Sequence, residues 1–103
     1  MYTTVFITAP DKESGKKIAR HILTRRLAAC VNMTPVSSMY WWEGKIEDSD
    51  EILLIVKTSA DRLDELVKEI RSVHPYQVPE IIALPITGGY REYLKWVEQE
   101  THA

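Results

Sequence analysis

The chain is poor in cysteine, with Cys30 alone, and has one phenylalanine and four glycines among 103 residues. A single cysteine excludes an internal disulfide framework and fits a reducing compartment, the cytoplasm by expectation. No run approaches the roughly 18 consecutive apolar residues of a membrane helix. No basic start followed by an apolar stretch marks a signal peptide. Neither sign of charge dominates, since 13 basic against 15 acidic side chains leave a formal net charge of -2. That balance argues against nucleic acid or an anionic membrane as the main partner. Also missing are G-x-G-x-x-G, the Walker loop, G-x-S-x-G, H-E-x-x-H and C-x-x-C. No nucleophile–base pair or cofactor fingerprint can be assembled, so the chain does not read as an enzyme.

What is present suits a single folded domain over residues 1–103. Hydrophobic residues make up 45% and charged residues 27%, a globular balance. A chain of this length buries roughly two thirds of its unfolded surface. Tyr2 to Thr8 reads as a strand, and Val5-Phe6-Ile7 is apolar on both faces, as in the middle of a sheet. Asp11 is a good N-cap for a helix from Lys12 to about Leu27, with Ile18, Ile22, Leu23 and Leu27 at helical spacing. Ala28 to Ile46 reads as a long second strand, and Pro35 places it at an edge. The acidic stretch Glu47–Glu51 is preferred to Glu43-Gly44 as the hairpin tip, because nothing apolar lies between Ile46 and Ile52.

Ile52 to Val56 is a second fully apolar strand. Thr58 to Asp61 has the spacing of a capping box. The helix beyond it carries Leu63, Leu66, Val67, Ile70 and Val73 on one stripe, and Pro75 stops it. Glu80 to Ile86, with Pro85, is another edge strand. Gly88-Gly89 turns the chain into a last helix bearing Tyr90, Tyr93, Leu94 and Val97. The order predicts an α+β, ferredoxin-like split βαβ sandwich: an antiparallel sheet, an extended β-hairpin and a C-terminal helix.

Chemistry concentrates in His74-Pro75-Tyr76-Gln77-Val78-Pro79-Glu80-Ile81, a stiff, extended link with an imidazole, a phenol and a carboxylate. His74 is the best metal-ligand candidate, with Glu80 and Cys30 as companions, and this donor set suits copper or zinc better than magnesium. An extended chain rises about 3.3 Å per residue, so His74 and Glu80 can stand about 20 Å apart. Spacing alone does not bring them to one ion within a subunit, and a site formed where neighbouring subunits meet removes that objection. Cys30 otherwise reads as a small buried apolar residue, and His21 and His102 as surface residues. Tyr40-Trp41-Trp42 sends at least one indole away from the core, which points to self-association.

Ala28-Ala29-Cys30-Val31-Asn32, Tyr40-Trp41-Trp42-Glu43-Gly44-Lys45-Ile46, Lys57-Thr58, the His74–Ile81 link and Tyr93-Leu94-Lys95-Trp96 together resemble the CutA family of divalent-cation tolerance proteins. The resemblance covers almost the whole chain with its motifs in order. It implies a homotrimer similar in architecture to PII signalling proteins, with Trp41, Trp42 and Pro79 at the subunit boundary. It also implies a link to copper and other divalent ions without an enzymatic reaction. Cys30 and His74 fall where the family has a cysteine and a histidine connected with metal. Some bacterial relatives carry a further cysteine where this chain has Ile7, which weighs against a thiol-rich site. The alternative is a PII-like sensor or interaction scaffold, in which Tyr40, Trp42, Lys57 and Tyr76 line a cleft between subunits for a small anionic ligand.

Overall fold

The two strands that are apolar on both faces occupy the centre of the sheet, and the two that contain proline occupy its edges. The computed structural model describes all residues Met1–Ala103. The elements are β1 (Tyr2–Ala9), α1 (Lys12–Thr24), β2 (Cys30–Trp42), β3 (Lys45–Ser59), a short 3-10 turn (Ala60–Arg62), α2 (Leu63–Val73), β4 (Ile81–Ile86) and α3 (Arg91–Thr101). Strand order is β2-β3-β1-β4, with every neighbour antiparallel. Pro35 and Pro85 sit on β2 and β4, where a missing amide donor costs no ladder bond on the open side. The result is the α+β, ferredoxin-like arrangement that the pattern predicts.

Side chains alternate across a strand, and this alternation divides the sheet. Val5 and Ile7 of β1 and Leu54 and Val56 of β3 point to one face and are fully buried. They pack against Ile18 and Ile22 of α1 and Leu66 and Ile70 of α2. The intervening residues Thr4, Phe6, Leu53 and Ile55 lie on the opposite face and stay partly exposed. Ile82 and Leu84 of β4 extend that face and are 51% and 42% exposed. One copy of the chain thus buries one side of its sheet, and α3 reaches the other side only at the Ser59 and Cys30 end.

Helix α1 begins where expected, with the Ser14 amide donating to Asp11 Oδ1 at 2.7 Å, and this bond holds the Asp11 carboxyl below its usual range. It ends three residues earlier than its periodicity suggests. Arg26 takes φ 58°, the Arg26 amide donates to the Leu23 carbonyl, and the Leu27 amide donates to the Ile22 carbonyl, each at 3.0 Å. These two bonds close a left-handed C-terminal cap. Leu27 therefore keeps its place in the core from outside the helix.

The hairpin tip also differs from expectation. Glu43 has φ 50° and Gly44 φ 79°, the two positive values that a two-residue I′ hairpin requires. The turn is Glu43-Gly44, and β3 runs straight through the acidic stretch, pairing Glu47 with Tyr40 and Glu51 with Val36. Since β1 pairs with β3 only from Ile52 onward, residues 45–51 have β2 as their sole neighbour. They form a two-stranded arm of about 23 Å, and the molecule measures 44 × 25 × 21 Å.

The expected capping box at Thr58 is absent. Thr58 belongs to β3 and is fully buried, so its hydroxyl donates inward to the Leu27 carbonyl at 2.7 Å. No side chain caps the 3-10 turn that leads into α2.

Of the two histidines read as surface residues, His102 is exposed and His21 half-buried, and both connect elements. His21 Nε2 donates to Glu69 Oε1 at 2.9 Å while Arg25 donates to His21 Nδ1 at 3.0 Å, joining α1 to α2. His102 lies 2.9 Å from Asp61 Oδ2 and 2.9 Å from Glu98 Oε2, fastening the end of α3. Ser59 and Thr101 share a buried 2.6 Å hydroxyl bond, and Arg62 Nε donates to the Thr101 carbonyl at 2.8 Å.

Candidate functional site

The link from α2 to β4 crosses the root of the hairpin arm because Pro75 stops the helix and His74 turns to extended backbone. His74 is buried there, 9% exposed. Its Nε2 donates to the Thr8 carbonyl at 2.7 Å, and its Nδ1 accepts the Tyr76 amide at 3.1 Å. The amide can only donate, which assigns the proton to Nε2. Both ring nitrogens are committed within the chain.

Tyr76 stands beside that ring, with centroids 4.9 Å apart. Its hydroxyl donates to Glu51 Oε2 at 2.7 Å. Burial, followed by the Glu51 carboxylate, pushes the Tyr76 phenol well above its usual range. Glu51 is 6% exposed and has no basic side chain within ion-pair distance.

Between the arm and the link lies a cavity of about 890 Å³, bordered by Thr8, Tyr40, Trp41, Trp42, Tyr76 and Pro79 together with Glu47, Glu51 and Glu80. Three of the four expected cleft residues, Tyr40, Trp42 and Tyr76, meet here. Lys57 does not. It pairs with Cys30 across β2 and β3, six residues along β3 from Glu51, and its ammonium donates to Asn32 Oδ1. The lining contains no lysine, arginine or histidine. Register carries Lys57 to the far end of the strand, so within one copy it does not reach this cavity.

The expected metal set is also dispersed within one copy. Cys30 lies opposite Lys57, which pairs with Thr4, whereas His74 binds Thr8. Four residues of strand separate the two rows, about 13 Å. No three His, Cys, Asp or Glu side chains converge where one ion could sit. Cys30 is not the buried apolar residue expected. It is half-buried, and its thiol donates weakly to Asn32 Oδ1 at 3.7 Å. Tyr93 of α3 approaches it, and burial together with the neighbouring Cys30 raises the Tyr93 phenol. Trp41 is 73% exposed, as its alternation with Trp42 requires.

Sequence reasoning missed Glu51 by reading it as part of a solvated tip. Its position immediately before the apolar run Ile52–Val56 was the available signal.

Residues 3–100 match the family model described as CutA1 divalent ion tolerance protein. The chain is 49% identical over 98 residues to Protein CutA 1, chloroplastic, of Oryza sativa, covering 94% of this chain and 55% of that protein. It thus spans about half the length of that plant relative. Among solved structures, it is similar to the periplasmic divalent cation tolerance protein CutA of Archaeoglobus fulgidus, with TM-score 0.96 and 42% identity over 98% of this chain and 99% of that one. It is likewise similar to the divalent cation tolerance protein of Thermus thermophilus, with TM-score 0.94 and 44% identity over 97% and 98% of the two chains.

Proposed function

The chain belongs to the CutA1 divalent ion tolerance family, and from that membership we propose that it works as a homotrimer that binds a divalent metal, copper foremost, in metal tolerance. The observation that carries the assembly is the uncovered sheet face formed by Phe6, Leu53, Ile55, Ile82 and Leu84. At roughly 25 cal/mol per Å², an apolar face of this kind is a strong drive to association. Thr4 Oγ1, on the same face, is the one buried side-chain polar atom without a partner, and buried polar groups ordinarily have one. The arm, with Trp41 and Trp42 near its end, supplies a second contact, and Pro79 on the rigid link a third.

The donors of a single copy do not fit a metal ion. His74 can ligate only by giving up Thr8 or Tyr76, Glu80 lies in the link before β4, and Cys30 opens β2. The metal reading therefore needs donors from adjoining copies, with the Cys30 thiolate as the soft ligand favoured by copper. Sedimentation velocity at dilute concentration tests the assembly, and titration of metal-free protein with Cu(II) tests the site. A monomer sinks the first part. Undiminished copper affinity in Cys30→Ala, His74→Ala and Glu80→Ala alike sinks the second.

A second reading, a PII-like small-ligand sensor, is favoured by the cavity that unites Tyr40, Trp42 and Tyr76. Its volume is within the ordinary range for small-molecule sites, roughly 300–1,000 Å³. The lone cysteine supports a reducing compartment, the cytoplasm in this proposal, and cell fractionation checks it.

A further inference from the structure

Glu51 is a carboxylate that the chain buries and leaves half-satisfied. One oxygen, Oε2, accepts the Tyr76 hydroxyl. The other, Oε1, has neither a hydrogen-bond partner nor a cation within 4 Å, yet it is not among the sealed-off polar atoms, where Thr4 Oγ1 stands alone. Glu51 borders this cavity and a smaller one lined by Pro10, Asp11, Pro35 and Asp50, and neither lining holds a cationic side chain. Burying a carboxylate against a phenol alone is costly unless a positive charge completes the pair.

The surroundings select the kind of charge. Cross-strand register puts Tyr40 opposite Glu47 and Trp42 opposite Lys45, on the same face of the arm as Glu51. Tyr40, Trp42 and Tyr76 border the cavity with Glu47 and Glu80, and its lining includes no cationic side chain, Lys45 lying outside it. Electron-rich ring faces attract cations, and desolvated ammonium groups most of all. A bare metal ion would need several oxygen or nitrogen donors at about 2 Å, whereas no such cluster forms. A cavity of about 890 Å³ accommodates a molecule.

We infer that this cavity is a binding site for a small organic cation, an alkylammonium compound, with Glu51 as its counter-ion and Tyr40, Trp42 and Tyr76 as its aromatic walls. The inference rests on the small-ligand reading and replaces its anionic ligand by a cationic one. Glu47 and Glu80 at the rim raise the local concentration of cations and speed their capture.

The test is calorimetric titration of the full-length protein in EDTA, with choline chloride and tetramethylammonium chloride as probes and sodium acetate as the anionic control. Tryptophan fluorescence is followed in parallel. Both ammonium probes should bind and perturb the indole emission, and acetate should not. Glu51→Gln should weaken binding roughly ten- to hundred-fold, the range for a lost charged contact. Glu47→Gln, at an exposed position that folding does not need, should weaken it by a smaller factor that disappears in high salt. The inference is overturned if neither ammonium probe binds at millimolar concentration. It is also overturned if a folded Glu51→Gln and Glu47→Gln both bind as the parent does. Binding of acetate in place of the ammonium probes overturns the cationic assignment and leaves the small-ligand reading standing.

Discussion

The His74 imidazole and the Thr8 carbonyl are joined by a 2.7 Å hydrogen bond that ties the α2–β4 link to the end of the central strand. The same ring accepts the Tyr76 amide, so two backbone groups depend on one side chain. His74→Ala leaves both without a partner in a buried setting. Each unsatisfied group costs about 1–3 kcal/mol, and a total loss of about 2–6 kcal/mol is expected in urea unfolding. His74→Gln, which can still donate to Thr8, should recover part of it. If His74→Ala unfolds at the parent's urea midpoint, the ring does not hold the link.

The contact between α3 and the 3-10 turn should respond to pH in a defined direction. The hydrogen bond to Asp61 raises His102 above 6.5, and the same bond lowers Asp61 below 3.8. A raised histidine contributes stability that is complete below its unfolded value and fades as pH rises through the folded one. A lowered carboxylate contributes stability present above its unfolded value and lost as pH falls through the folded one. The pair therefore acts from just above the aspartate's ordinary value up to the histidine's raised one. The difference in melting temperature between the parent and His102→Ala should be larger near pH 5 than near pH 8. Equal differences at the two pH values would show that the histidine is not charged in this contact.

A third expectation concerns the turn. Glu43 holds a positive φ that an ordinary L-residue resists by roughly 1–2 kcal/mol, whereas asparagine tolerates it. Glu43→Asn should raise stability by about 0.5–1 kcal/mol. Gly44→Val should lower it by more than 1 kcal/mol, because valine is poorly suited to φ 79°. Thermal unfolding of both variants checks the signs, and a destabilised Glu43→Asn would contradict the assigned hairpin.

Why this turn escaped sequence reading is physical. Glu47-Asp48-Ser49-Asp50 has no apolar member and looks like a loop, because apolar side chains of this arm, Met39, Trp41 and Trp42, sit on the partner strand β2. Its strand character comes from pairing with β2 and from two local backbone angles. The sheet centre was legible because Val5-Phe6-Ile7 and Ile52–Val56 need cover on both sides, and the edges because Pro35 and Pro85 cannot serve inside a ladder. The cleft was legible only in its aromatics. Tyr40, Trp42 and Tyr76 announce themselves by size, whereas the use of Glu51 depends on a partner 25 residues away. His74 likewise spends both nitrogens on backbone groups, one of them 66 residues distant, and no spacing rule reports that. Lys57 lies apart from these rings within one copy, and strand register, which sets it opposite Cys30, cannot be read from one strand alone.

Ile82 offers the clearest separation of a lone chain from an assembled one. In a single copy it is 51% exposed, and truncating a half-exposed residue costs within about 0.5–1 kcal/mol. If copies pack against this face, the same side chain becomes part of a core, where Ile→Ala costs about 2–5 kcal/mol. Assembly adds a second signature, because a protein stabilised by self-association melts at a temperature that rises with its concentration. Ile82→Ala should therefore lower the melting temperature several degrees more than Val78→Ala. Val78 is 69% exposed on the linker and serves as the comparison. Diluting the parent should lower its own melting temperature as well. A small Ile82 effect together with a concentration-independent melt would mean that the apolar side of the sheet faces water.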